Sequence, residues 1–276
     1  MMEILHFEFM RNALLAGMLA SLVCAVIGTL IVVNRLVFIA GGIAHAAYGG
    51  IGLAFFFRLP PALGAAAFSL VISSIMAQIT YKDRHRTDTL IGVLWAAGMA
   101  LGIILIDLAP GYNVDLMSYL FGSILVVSKN DLLLMMGLSV LILTVVLFFY
   151  KDFLALSFDE EFARASGVPV RCLYFILLAM IAVSVIVIIR IVGLILVMAF
   201  FTIPPYLTEK YAGSLKKMMA ASFILNLFFT FSGLWLAYRY NLTSGATIIL
   251  TATVCFFIVI IFEKIRKTFL HKKLCR

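Results

Sequence analysis

The chain has 276 residues, 64% of them hydrophobic and only 12% charged, with a formal net charge of +8. Soluble domains average about 45–50% apolar and about 25% charged residues, so this composition excludes a soluble globular domain and demands lipid as part of the solvent. The excess Lys and Arg sits in short loops and at the C-terminus, where it reads as a topology signal, and no nucleic-acid partner is expected.

In lipid the backbone must satisfy its own hydrogen bonds, which leaves helices or a closed barrel. Barrel strands would read as runs of roughly ten residues alternating apolar and polar. This chain shows long unbroken apolar runs, so it is expected to be an all-α polytopic membrane protein forming one transmembrane domain over 1–276. A crossing helix needs about 20 apolar residues. Nine segments qualify: 10–33, 37–57, 60–80, 89–108, 131–150, 171–190, 191–208, 218–238 and 245–263. The sixth and seventh are parted only by Arg190 and its neighbours, so eight spans with one broken helix is the alternative.

The first run follows an acidic and aromatic start, Met1 to Met10, which lacks the basic n-region of a cleaved signal peptide. The second carries Gly41-Gly42-Ile43-Ala44-His45-Ala46-Ala47-Tyr48-Gly49-Gly50. At helical spacing Gly41, His45 and Gly49 share a face, with Gly42, Ala46 and Gly50 beside it, and small residues four apart let helices approach closely. His45 lies near mid-span, where an ionisable group is expensive and usually faces a cavity or a partner. Two readings stand. One is a transient metal ligand on a transport path, weak enough to let the ion leave; the other is a neutral ring bonded to a backbone carbonyl in a tight helix interface. Between the fourth and fifth spans, Leu116 to Val127 is too short to cross and reads as a half-helix or re-entrant piece.

The longest hydrophilic stretch, Lys151 to Arg171, predicts a short punctuated helix at about 157–167. Ser157 reads as its N-cap, with Glu160 reaching back. Asp159, Glu160 and Glu161 suit the positive end of the helix dipole and Arg164 the negative end. Gly167 offers a left-handed cap and Pro169 stops continuation. Phe158, Phe162 and Ala165, at i, i+4 and i+7, give an apolar face. Helices lying on lipid usually carry Lys and Arg on the polar face. This one is mainly acidic, which favours docking into a groove on a soluble partner. In the seventh span, Ile203-Pro204-Pro205-Tyr206 reads as a break or kink, or as a span end. Cys24, Cys172, Cys255 and Cys275 are scattered and form no CxxC pair.

With the N-terminus outside, nine spans put 16 of the Lys and Arg residues on the inner side and 5 on the outer, as the positive-inside rule favours. The C-terminus and its basic tail, 264–276, are then cytoplasmic, against the anionic inner leaflet of the cell membrane. No GxxxxGK[ST] is present, so the chain has no P-loop for ATP. Neither HExxH nor GxSxG occurs, which leaves an intramembrane hydrolase unsupported.

In chain order, Phe9 to Gly17, Gly28 to Arg35, Phe38 to Phe55 with His45, Asp88-Thr89, Ile91-Gly92, Ala100 to Gly102 and Tyr119 to Leu125 resemble the zinc/manganese-type ABC permease family. So do Phe158-Asp159, Phe162-Ala163, Gly167-Val168, Arg190 to Gly193, Ile203-Pro204, Gly233-Leu234 and Ser244 to Ala246. Each motif is short, but they run collinearly from about Phe9 to Phe262. The resemblance implies a non-catalytic, importer-type pore with no intrinsic cofactor. It implies a homodimer, two cytoplasmic ATP-binding subunits, and an extracytoplasmic metal-binding protein delivering Zn, Mn or Fe. The helix at 157–167 would be the coupling helix seated on the ATPase, through Phe158, Asp159, Glu160, Phe162 and Gly167, and His45 would lie on the ion's path. Family members often carry an Asp four residues before this His. Here that position is Gly41, which removes a carboxylate and leaves a small organic solute or a metal chelate as the alternative cargo. A secondary transporter is the rival from another class. It would need coupling-ion sites at the midplane, for which one His offers little.

Overall fold

The computed structural model describes residues 8–82, 87–109, 122, 124 and 127–274. Among these, no strand occurs and the chain is a bundle of helices: α1 (Glu8–Val33), α2 (Val37–Phe56), α3 (Pro61–Lys82), α4 (Thr87–Asp107), α5 (Lys129–Phe148), α6 (Tyr150–Phe158), α7 (Glu160–Ala165), α8 (Val170–Val192), α9 (Leu194–Glu209), α10 (Leu215–Tyr240) and α11 (Ser244–Leu274). Each of the nine expected apolar segments reappears as a helix, as α1 to α5 and α8 to α11. The expected half-helix over Leu116 to Val127 falls, apart from Gly122, Ile124 and Val127, outside the described residues.

Seven of the described helices are long and apolar enough to cross a membrane, and α8 and α9 hold shorter apolar stretches. One end of the bundle gathers Asn34, Thr80, Asp88, Ser157 and Val170 around a single cavity, sets Lys216 over the Tyr150 ring, and pairs Lys210 at the foot of α9 with Glu263 of α11 at 2.8 Å. The opposite end pairs Lys129 with Glu8 at 2.6 Å. The break between α8 and α9 falls at Gly193, not Arg190. Its φ of 82° with ψ of 161° is backbone that only glycine adopts without strain.

Helices α1 and α2 form the centre, with 72% and 78% of their apolar spans buried, against 17% for α11 and 22% for α4 and α5. The outer helices therefore leave apolar faces bare, as lipid-facing helices do. The interior is tied by polar side chains as well as packing. Asn226 Nδ2 donates to Ser21 O at 3.4 Å, and Thr208 and Ser222 share a hydroxyl contact at 2.8 Å.

Pro204 and Pro205 neither break α9 nor end it, since the helix runs on to Glu209. Pro205 cannot donate to the carbonyl four residues back, that of Phe201. Gly28 of α1 comes against that carbonyl, so closely that a Cβ there would stand 2.8 Å from Phe201 O. Thr208 Oγ1 bonds the Pro204 and Pro205 carbonyls at 3.0 Å each. The basic tail is likewise not a separate segment, because α11 carries it as continuous helix to Leu274.

Candidate functional site

Two places collect the residues the sequence singled out, and the first is one face of α2. Gly42, Gly49 and Gly50 are contact points where no side chain fits. A Cβ on Gly49 would stand 3.0 Å from Gly98 O of α4, and one on Gly50 would run into Gly64 O of α3. Gly42 abuts Ile91 and Met76. The close-packing expectation thus fits these three positions, whereas Gly41 differs. A Cβ there would meet only the end of Met198, at 3.2 Å from Cε and 3.9 Å from Sδ, and Trp95 Cζ3 at 4.0 Å.

His45 lies one turn further along α2. Its Nδ1 bonds Gly41 O at 2.8 Å, and its ring stacks on Trp95 with centroids 3.9 Å apart and planes 29° apart. A carbonyl only accepts, so Nδ1 carries the proton and a neutral ring keeps its lone pair on Nε2. This bond satisfies the interface reading, and the same arrangement is what orients metal-binding imidazoles. The ring is half-buried. Among the described residues, no three His, Cys, Asp or Glu side chains are grouped so as to hold a metal ion. The Met198 thioether lies beside Gly41, one turn before His45 on α2.

The second place is the segment between α5 and α8. The expected single helix from Ser157 is corrected here. Helix α6 runs through Ser157 to Phe158, because Phe153 and Leu156 are buried against the core and keep this turn helical. Asp159 then breaks the helix with φ −154° and ψ 108° and is the true N-cap of α7, its carboxylate accepting from the amides of Glu161 at 2.9 Å and Phe162 at 3.0 Å. Ser157 instead meets Asn34, whose Nδ2 donates to Ser157 Oγ at 3.0 Å. Glu160 does not reach back to Ser157. It binds Arg164 at 3.0 Å, and Arg164 also donates to Tyr81 OH of α3 at 3.3 Å.

The far end of α7 is as expected. Gly167 adopts φ +82°, its amide bonds Arg164 O, and the Val168 amide bonds Ala163 O, the paired closure of a left-handed C-cap. Ala163 is fully buried, while Phe158 and Phe162 are 79% and 65% exposed. The segment is thus anchored beneath and presents two aromatic rings outward. At the same end, Lys210 and Tyr211 both bond Glu263, at 2.8 and 2.6 Å, and the hydrogen bond to this carboxylate raises the pKa of Lys210 above its usual value.

Sequence reasoning missed Asn34, Tyr81, Trp95 and Met198. An Asn just after an apolar run is an ordinary span end, and which residues meet α2 is settled by tertiary packing alone. The glycine contacts of α2, the Gly167 cap and the apolar pair Phe158 and Phe162 were legible because each rests on local sequence spacing.

Comparison with known proteins bears on the chain as a whole. A family model described as the ABC 3 transport family matches residues 6–263. An uncharacterized membrane protein of Synechocystis is 48% identical over 264 residues, 96% of this chain and 94% of that protein. The manganese import system permease protein ScaB of Streptococcus gordonii is 32% identical over 252 residues, 91% of this chain and 90% of its own. Among solved structures, PsaBC from Streptococcus pneumoniae in complex with Fab superposes with a TM-score of 0.81 at 32% identity, covering 91% of each chain.

Proposed function

The chain belongs to the ABC 3 transport family, and on that footing we propose that it is the pore-forming permease of an ATP-driven importer of divalent metal ions. It works as a homodimer with two cytoplasmic ATP-binding subunits and an extracytoplasmic metal-binding protein. The N-terminus faces outward and the C-terminus the cytoplasm, which sets the α6–α7 segment on the ATPase side. The observation that carries the reading is the pair Phe158 and Phe162, exposed on a segment whose backbone is capped at both ends. Apolar rings held rigidly in a watery loop are anchors for a groove on a soluble partner. The chain itself performs no chemistry. ATP binding and hydrolysis on the partners switch the packed helices between outward and inward access.

His45 is the ligand that the ion meets in transit. An imidazole favours zinc and iron, a thioether favours soft or borderline ions, and carboxylates favour manganese. With Gly41 in place of a carboxylate and Met198 beside it, the path suits zinc better than manganese, although ScaB is named for manganese. The test is uptake of zinc and manganese into vesicles holding the permease, its ATPase and the delivery protein. ATP-dependent uptake with zinc preferred supports the reading. Uptake by the permease alone, driven by a proton gradient, overturns it in favour of a secondary transporter.

A further inference from the structure

An ATPase that grips α6–α7 must still move the helix that carries His45, and the structure shows a route. Asn34 closes α1, and its amide group spans two elements: Nδ2 donates to Leu30 O of its own helix at 2.8 Å and to Ser157 Oγ of α6 at 3.0 Å. The next residue, Arg35, sits at φ +58°, an uncommon conformation for a non-glycine residue. The Arg35 amide bonds Val32 O at 3.0 Å and the Leu36 amide bonds Ile31 O at 2.8 Å, so the corner is locked as a left-handed cap. Leu36 in turn caps α2, accepting from the Ala40 amide at 2.9 Å. No flexible residue separates Asn34 from α2, and His45 lies eight residues beyond Val37, about 12 Å along the axis.

The space around this tether is open. A cavity of about 380 Å³ lies between the corner and α6–α7, bordered by Asn34, Arg35, Asp88, Ser157, Glu160 and Tyr174. The segment is therefore not packed solidly against α2, and a displacement can pass through the Asn34–Ser157 bond.

We propose that Asn34 is a positioning residue for transport: its bond to Ser157 carries the motion of the ATPase-bound segment to α2 and so to the ion's path. This rests on the importer reading above. The experiment measures metal ions imported per ATP hydrolysed in vesicles holding the full permease, ATPase and delivery protein, for wild type, Ser157→Ala, Asn34→Leu, the double variant and Ser157→Thr. A hydrogen bond of this kind sets a loss of about fivefold in that ratio for Ser157→Ala and for Asn34→Leu. The double variant should be no worse than the poorer single one, and Ser157→Thr, which keeps the hydroxyl, should couple normally. ATPase co-purification should not change in any of them. A normal ratio in Ser157→Ala overturns the proposal and leaves Asn34 as a cap of α1, and additive losses in the double variant overturn it too. A wild-type complex that imports without hydrolysing ATP defeats the importer reading itself, and this proposal with it.

Discussion

On the face of α2, the backbones of α3 and α4 at Gly50 and Gly49, and the Ile91 and Met76 side chains at Gly42, leave no room for a Cβ, while His45 is held by the Trp95 indole and its own helix carbonyl. At the end of the bundle, α6–α7 is short and exposed, but Asp159, Asn34, Arg164 and Gly167 fix nearly every turn of it. The proposed ion path thus holds no cluster of three His, Cys, Asp or Glu among the described residues, while the proposed docking segment is bond-rich where it is exposed. A tight metal cage would trap its cargo, since transit requires weak binding. A coupling device must instead hold its shape while a partner pulls on it. The difference is between a close-packed helix face that carries an isolated imidazole and a short exposed segment whose backbone is capped at both ends. The importer reading proposed above assigns metal affinity to the other subunits and force transmission to that segment.

That contrast can be broken at its strongest point first. His45→Ala should lower metal uptake roughly tenfold or more, since even a hydrogen-bonding partner behind a metal-bound His is worth about 10–100-fold. Co-purification of the ATPase should stay normal. If uptake is normal and only thermal stability falls, the ring is a packing element. Next, Gly50→Ala forces a methyl into Gly64 O and should destabilise the purified protein by about 1–3 kcal/mol. Gly41→Ala displaces only the end of Met198 and should stay within about 0.5 kcal/mol. Equal melting temperatures for the two would dissolve the distinction between them. In the docking segment, Asp159→Ala should cost about 0.5–2 kcal/mol of local helix stability, seen as faster hydrogen exchange at the Glu161 and Phe162 amides. Ser157→Ala should leave those amides protected, and the reverse pattern would reinstate Ser157 as the cap.

The spans were legible because membrane thickness imposes one length on every crossing helix, so apolar runs alone place α1 to α5 and α10 within a few residues of their ends. The boundaries that went astray depend on backbone. Arg190 drew attention by its charge, but Gly193 is where φ turns positive. The prolines of α9 looked like a break because the carbonyl they abandon finds its neighbour in Gly28, far away in sequence. Around α7 two capping patterns overlap, Ser157 with Glu160 and Asp159 with the amides that follow. The burial of Phe153 and Leu156 decides between them by carrying α6 through Ser157. Met198 and Trp95 could not be assigned to His45, since nothing local to either residue records which helix it faces.

The claim that the α6–α7 segment docks on an ATPase is tested most directly by the affinity of purified ATPase for the permease in lipid nanodiscs, wild type against the Phe158→Ala, Phe162→Ala double variant. Burying an aromatic side chain is worth about 1.5–3 kcal/mol, so each loss should weaken binding about tenfold or more. The account predicts that the double variant inserts and folds normally, loses the ATPase, and no longer imports metal in response to ATP. Unchanged affinity and unchanged ATP-driven uptake would contradict it and return Phe158 and Phe162 to the lipid surface.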